Sequence, residues 1–176
     1  RISFSSGYNM ARKRIQVSSL AHPSQSERSA ILDFHNRNFP SSKWSERSFK
    51  KYLVDTPHHP VCIAIRSEKT FAGIAIGRFS TNSRTSLNLA TLLISRRCRG
   101  KGYGDVLMRK FLESSASIPF LKKIHLHFRD SNSQIKNFYK RFGFEKHRVC
   151  GKYSNGEKKH YMETSIKSIR AYLKDS

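Results

Sequence analysis

RRCRGKGYGD, Arg96–Asp105, is the stretch whose reading decides the fold. Three glycines, Gly100, Gly102 and Gly104, fall within five residues and sit among Arg96, Arg97, Arg99 and Lys101. On the N-terminal side stands SLNLATLLIS, Ser86–Ser95, apolar toward its end as a buried central strand is. On the C-terminal side Tyr103, Val106, Leu107 and Phe111 recur at helical spacing and predict an amphipathic helix to about Ser115. In a strand, glycine loop and helix, backbone N–H groups can converge on an anion at the helix N-terminus. The nucleoside-triphosphate loop, Gly-x4-Gly-Lys-Ser/Thr, is absent. The dinucleotide fingerprint starts at Gly100 and Gly102 but meets Asp105 where its third glycine belongs. What fits is Arg-x-x-Gly-x-Gly, at Arg99, Gly102 and Gly104.

The flanks predict an α/β layout. A strand is expected at about Ile15–Leu20, then a helix through SERSAILDFHNRNF with Ser24 or Ser26 as its cap. Phe39-Pro40 ends that helix, and a second follows Ser45 with Phe49, Tyr52 and Leu53 on one side. After the turn TPHHP, VCIAIRS and FAGIAIGRF flank Glu68-Lys69-Thr70 and read as an antiparallel pair. Downstream of the glycine loop, KKIHLHF is a strand, SNSQIKNFYKRFGF an N-capped helix stopping at Gly143, and HYMETSI a last strand. This order implies one domain with a mixed central sheet and helices on both faces. It spans 15–166, between a flexible basic arm at 1–14 and a tail at 167–176. The segment ahead of Met10 is set aside as an added, processed or merely flexible end.

The 176 residues carry a net charge of +22. Such a field attracts polyanions, including ribosomal RNA and phosphate-bearing cofactors, and disfavours polycationic substrates. With 37% hydrophobic and 26% charged residues the composition is globular. No apolar run reaches the length of a membrane span. Cys62, Cys98 and Cys150 are too widely spaced for a disulfide framework or a zinc site, so no metal and a reducing compartment, cytoplasmic or nuclear, are expected.

LLISRRCRGKGYGDVLMRKFL resembles the main cofactor motif of the GNAT superfamily of acetyl-CoA-dependent N-acetyltransferases. A proline common in that family is replaced here by Arg96. IHLHFRDSNSQIKNFYKRFGFEKH is similar to its next motif, and the resemblance extends over roughly Gln16–Ile166. It implies that acetyl-CoA is held by Leu92, Leu93 and Ile94, by Arg99 through Asp105 (with Gly100, Lys101, Gly102, Tyr103 and Gly104 between them), and by Asn132 and Tyr139. Tyr139 matches the tyrosine near the cofactor's sulfur and is the expected general acid.

The strand ahead of the glycine loop lacks the family's usual glutamate base; Asn88 is its one polar interior candidate. His125 and His127 share a strand face by alternation, and imidazole is suited to proton transfer near neutral pH. Leu126-His127 resembles the strand pattern of Met-selective N-terminal protein acetyltransferases, with Asn88 where that subgroup pairs a tyrosine. His127 is therefore the expected base, directly or through a water. By the same resemblance Phe39 and Pro40 line the peptide entrance, and Tyr153 closes over the peptide from a late hairpin.

The function implied is transfer of an acetyl group to the primary amine of a protein or peptide, by direct attack in a ternary complex. The alternatives are acetylation of a small-molecule amine, or a non-catalytic binder of acyl-CoA or nucleic acid on the same fold. The basic surface would serve ribosome docking or the recognition of acidic N-terminal sequences.

Overall fold

The computed structural model describes residues 15–20, 22–40, 43–53, 61–67, 70–80 and 83–175. The basic arm, the TPHHP turn, Glu68-Lys69, and the side chains of Tyr52 and Leu53 lie outside the described residues. The elements are β1 (Ile15–Ser19), α1 (Gln25–Asn38), α2 (Glu46–Leu53), β2 (Val61–Ser67), β3 (Thr70–Ser80), β4 (Ser83–Ile94), α3 (Tyr103–Ala116), β5 (Lys123–Arg129), α4 (Ile135–Lys140), β6 (Lys146–Lys152), β7 (Lys158–Ser165) and α5 (Ile166–Asp175). The strands form one mixed sheet in the order β1-β2-β3-β4-β5-β7-β6. Every neighbouring pair is antiparallel except β4 and β5.

Alternation along the strands divides the core in two. One face buries Ile63, Ile65, Leu87, Leu89, Ile124, Leu126 and Met162 beneath α3 and α5. There Phe111 is fully buried, which contributes about 2–3 kcal/mol. It fits because Gly77 on β3 has no side chain: a Cβ there would stand 2.7 Å from the Phe111 ring. The other face buries Cys62, Ala64, Ile74, Ile76 and Leu93 against Ile31 and Phe34 of α1 and Phe49 of α2. Helix α1 starts at a capping box, in which the Ser24 hydroxyl accepts from the Glu27 N–H and the Glu27 carboxylate accepts from the Ser24 N–H. So Ser24, not Ser26, is the cap.

One expectation needs correction. The capped helix expected to stop at Gly143 is only Ile135–Lys140; a 3₁₀ turn occupies Asp130–Asn132, and no side chain caps the helix. Asp130 and Ser131 are engaged elsewhere: His160 Nε2 meets the Asp130 carboxylate at 2.7 Å, and the Ser131 N–H donates to Glu157. The C-terminal segment is α5, which buries Ile166 and Ile169 and packs Tyr172 against Phe142.

The feature that positions a site lies at the centre of the sheet. Parallel pairing of β4 with β5 ends at Leu89–Leu126, although β4 continues to Ile94 and β5 to Arg129. A bulge at Ala90, where Ile76 pairs with Thr91 but Gly77 with Leu89, turns β4 at that point. From there β5 pairs only with β7, and the two central strands part.

Candidate active site

The glycine loop sits at the mouth of this gap. Ser95 leads into a 3₁₀ turn, Arg96–Cys98, and Gly100 and Gly102 follow with φ of 72° and 76°. Residues with a side chain rarely take that backbone conformation, which explains the glycines. Gly102 caps α3 without a side-chain bond. The first-turn N–H groups of Tyr103 and Gly104 have no intrahelical partner, as at every helix start. A pocket of about 350 Å³ runs from Ile94 and Cys98 along the loop to Asp105. Arg99 Nε donates to the Ile94 carbonyl at 3.3 Å, which ties its exposed side chain to the end of β4. Lys101 is exposed beside it. An open helix N-terminus with two adjacent cations and clear space above Gly100 and Gly102 suits a pyrophosphate.

The second motif meets the first. A Cβ at Gly104 would lie 3.5 Å from the Phe138 ring, and Arg141 pairs with Asp105 at 2.8 Å, so α4 lies against the start of α3. Tyr139 is 6% exposed, its ring packed against Phe138 and Phe144. Burial pushes its hydroxyl pKa upward, so the phenol stays protonated. Asn132 ends the 3₁₀ turn and accepts from Gln134 at 3.1 Å.

His125 and His127 face away from α3, on the face that bears α1 and α2 farther along the sheet. Among the described residues α5 packs on β7 from the α3 side, while α1 and α2 bury their apolar residues against β2, β3 and Leu93 of β4. Asn88, opposite His125 in the parallel register, joins them. Its Oδ1 is buried without a hydrogen-bond partner among the described residues. Ser86 Oγ lies 3.0 Å from His125 Nδ1. Burial first, then the charges of Lys159, His125 and Arg148, lower the pKa of His127 to about 4, so its imidazole is neutral at pH 7. His125 is lowered too, mainly by burial.

Two partners on this face escape the sequence reading. Tyr161 on β7 stands opposite His127, with ring centroids 5.4 Å apart, and stacks on His125 at 5.6 Å. Its hydroxyl donates to Glu163, whose carboxylate also meets Lys123 and Lys146, each at 3.1 Å. These donors, that hydroxyl above all, hold Glu163 down to about 2. A tyrosine thus does stand beside the histidine, but β7 supplies it while β4 offers Asn88. Strand alternation in HYMETSI puts Tyr161 and Glu163 on one face; only the β5–β7 register says which face.

The expected acceptor residues lie in two places, Phe39 and Pro40 at the end of α1 and Tyr153 at the β6–β7 turn. Phe39 and Pro40 follow α1, in a loop held by Asn36: its amide donates to the Trp44 carbonyl (2.9 Å) and its Oδ1 accepts from the Trp44 N–H (2.8 Å). Phe39 is 38% exposed, and Pro40 borders a hollow of about 520 Å³ at the end of α1. Tyr153 opens the β6–β7 turn; its ring lies under Arg129 at 4.0 Å and Lys159 at 5.8 Å, which alternation puts on the His127 face. Tyr153 and His127 therefore share a surface. Phe39 instead stacks on His35 of α1, with ring centroids 5.6 Å apart.

A family model described as "Acetyltransferase (GNAT) family" matches residues 28–144. No curated protein sequence matches. Among solved structures, the chain resembles the ribosomal-protein-S18-alanine N-acetyltransferase from Escherichia coli, with 17% identity, 87% of this chain and 94% of that one covered, and a TM-score of 0.69. NAA60 from Arabidopsis thaliana in complex with acetyl-CoA matches at 15% identity over 86% and 99%, with a TM-score of 0.68. A mutant spermidine/spermine N-acetyltransferase SpeG from Vibrio cholerae matches at 20% over 91% and 98%, with a TM-score of 0.69. At these identities the likeness is one of fold.

Proposed function

The chain belongs to the GNAT acetyltransferase family and uses acetyl-CoA; from that premise we propose that its acceptor is the α-amino group of a protein or peptide, deprotonated on the open face of β5 and β7. The observation that carries this reading is that His127, Tyr161 and Tyr153 lie together on one face of the β5–β7 region, with α3 and α5 packed on the other. A metabolite site would favour a closed pocket.

Acetyl-CoA, when bound, supplies the activated acetyl group. Arg99, Lys101 and the N–H groups from Gly100 to Gly104 would hold its pyrophosphate, with Asp105 and Asn132 at the rim. The backbone of Leu92 to Ile94, where β4 has left β5, offers N–H groups that favour negative charge on the thioester oxygen. Neutral His127 accepts the proton of the incoming amine, directly or through a water held by Asn88 Oδ1. Tyr139 donates its hydroxyl proton to the departing sulfur. Phe39, Pro40 and Tyr153 border the acceptor. The basic surface supports docking to a polyanion such as ribosomal RNA, and free thiols at Cys62, Cys98 and Cys150 suit a reducing cytoplasm or nucleus.

Thiol release from acetyl-CoA tests the acceptor class. Peptides with free N-termini, N-terminally blocked lysine peptides, spermidine and an amino sugar are compared by kcat/KM. Free-N-terminus peptides are expected to lead; a faster amino sugar or spermidine would refute the peptide reading.

A further inference from the structure

The His127 face carries cations from β3, β5, β6 and β7. Arg78 comes from β3, Lys123 and Arg129 from β5, Lys146 and Arg148 from β6, and Lys159 from β7. Two carboxylates oppose them, and both are engaged. Glu163 is held by Tyr161, Lys123 and Lys146; Glu157 is held by Arg129 at 3.0 Å and by the Ser131 N–H. That leaves Arg148 and Lys159 with no carboxylate within 4.0 Å among the described residues.

Their placement is specific. The Arg148 guanidinium lies over the Tyr161 ring, 4.7 Å from its centroid, and that ring touches His127. A guanidinium held over an aromatic ring by its face still has N–H donors to offer, and its fork can grip a carboxylate with two bonds. Lys159 borders Tyr153, 5.8 Å from the ring centroid. After burial, the charges of Lys159 and Arg148 are among the causes that lower the pKa of His127, in keeping with this placement.

This field acts on an incoming amine in two ways. It disfavours the ammonium form, which helps to produce the neutral nucleophile, and it repels a substrate whose only charge is positive. A polyamine suffers that repulsion at every nitrogen. An acceptor with a carboxylate close behind its α-amine gains attraction to offset it. Resting on the α-amine reading above, we infer that the preferred acceptors are peptides with Asp or Glu immediately after the first residue, read by Arg148 and Lys159.

The test uses the full chain and peptides identical except at the second position, which is Asp, Asn or Lys. The expected kcat/KM for Asp exceeds that for Asn on the order of 10-fold, Lys is worst, and the Asp/Asn ratio shrinks as salt rises. Arg148→Gln and Lys159→Gln each lower the ratio, and the double variant brings it near one. Lys110→Gln, on α3 and paired with Glu113, keeps it. Peptide turnover with equal Asp and Asn rates overturns this inference alone, as does a ratio that survives the double variant. If the double variant instead loses binding to a short RNA while the wild type shows no peptide preference, the surface is a nucleic-acid site and the inference falls. No turnover of any peptide overturns the α-amine reading, and this inference with it.

Discussion

At the scale of single residues the account rests on His127. A histidine among cations on a half-buried face gives up its proton readily, so His127 titrates at about 4. The unfolded chain would protonate the same ring near the ordinary 6.5. Its contribution to stability is therefore complete above about 6.5 and is lost as pH falls toward 4. A ring-proton NMR titration of the folded protein should give a midpoint near 4, and His127→Ala should lower kcat on the order of 100-fold with acetyl-CoA affinity nearly unchanged. A midpoint near 6.5, or undiminished turnover in the variant, would remove His127 as the base. That His125 and His127 share a face was legible in the sequence because strand alternation needs only local spacing. Tyr161 was not: its meeting with His127 depends on β7 pairing with β5, a register between segments more than thirty residues apart.

At the scale of elements, the glycine loop was the most legible part. Strand, loop and helix are adjacent in sequence, and positive φ at Gly100 and Gly102 bears out why glycine stands there. The α4 segment was less so, because its polar N-terminal residues bond to β7 and its turn instead of capping a helix. Whether the C-terminal tail forms a helix was not decided by the sequence, since the apolar spacing of Ile166, Ile169 and Tyr172 has meaning only once α3 and Phe142 offer a surface. Helix α3 supplies a test of the fold. Gly77→Ala would drive a methyl to 2.7 Å from Phe111 and should destabilise by about 1–3 kcal/mol. That corresponds to a Tm lower by roughly 2–12 °C. An unchanged Tm would contradict the packing of α3 on β3.

At the scale of the whole molecule, a chain with a net charge of +22 has a site that must still admit an amine. The parted β4 and β5 divide the work. The loop side offers an open helix N-terminus with Arg99 and Lys101 beside it, and the β5–β7 face sets His127 among cations. Among the described residues no helix is long and apolar enough to cross a membrane. Total charge was plain in the sequence, but its arrangement was not, since β6 and β7 bring Lys146, Arg148 and Lys159 beside β5 only in the folded sheet. The central claim is that this face acetylates an α-amine, and one measurement addresses it most directly. A peptide with both a free N-terminus and an internal lysine is incubated with the protein and acetyl-CoA, and the modified nitrogen is mapped by tandem mass spectrometry. The account predicts an acetyl group on the α-nitrogen alone, lost with His127→Ala. Acetylation of the lysine side chain, or of neither amine, would contradict it.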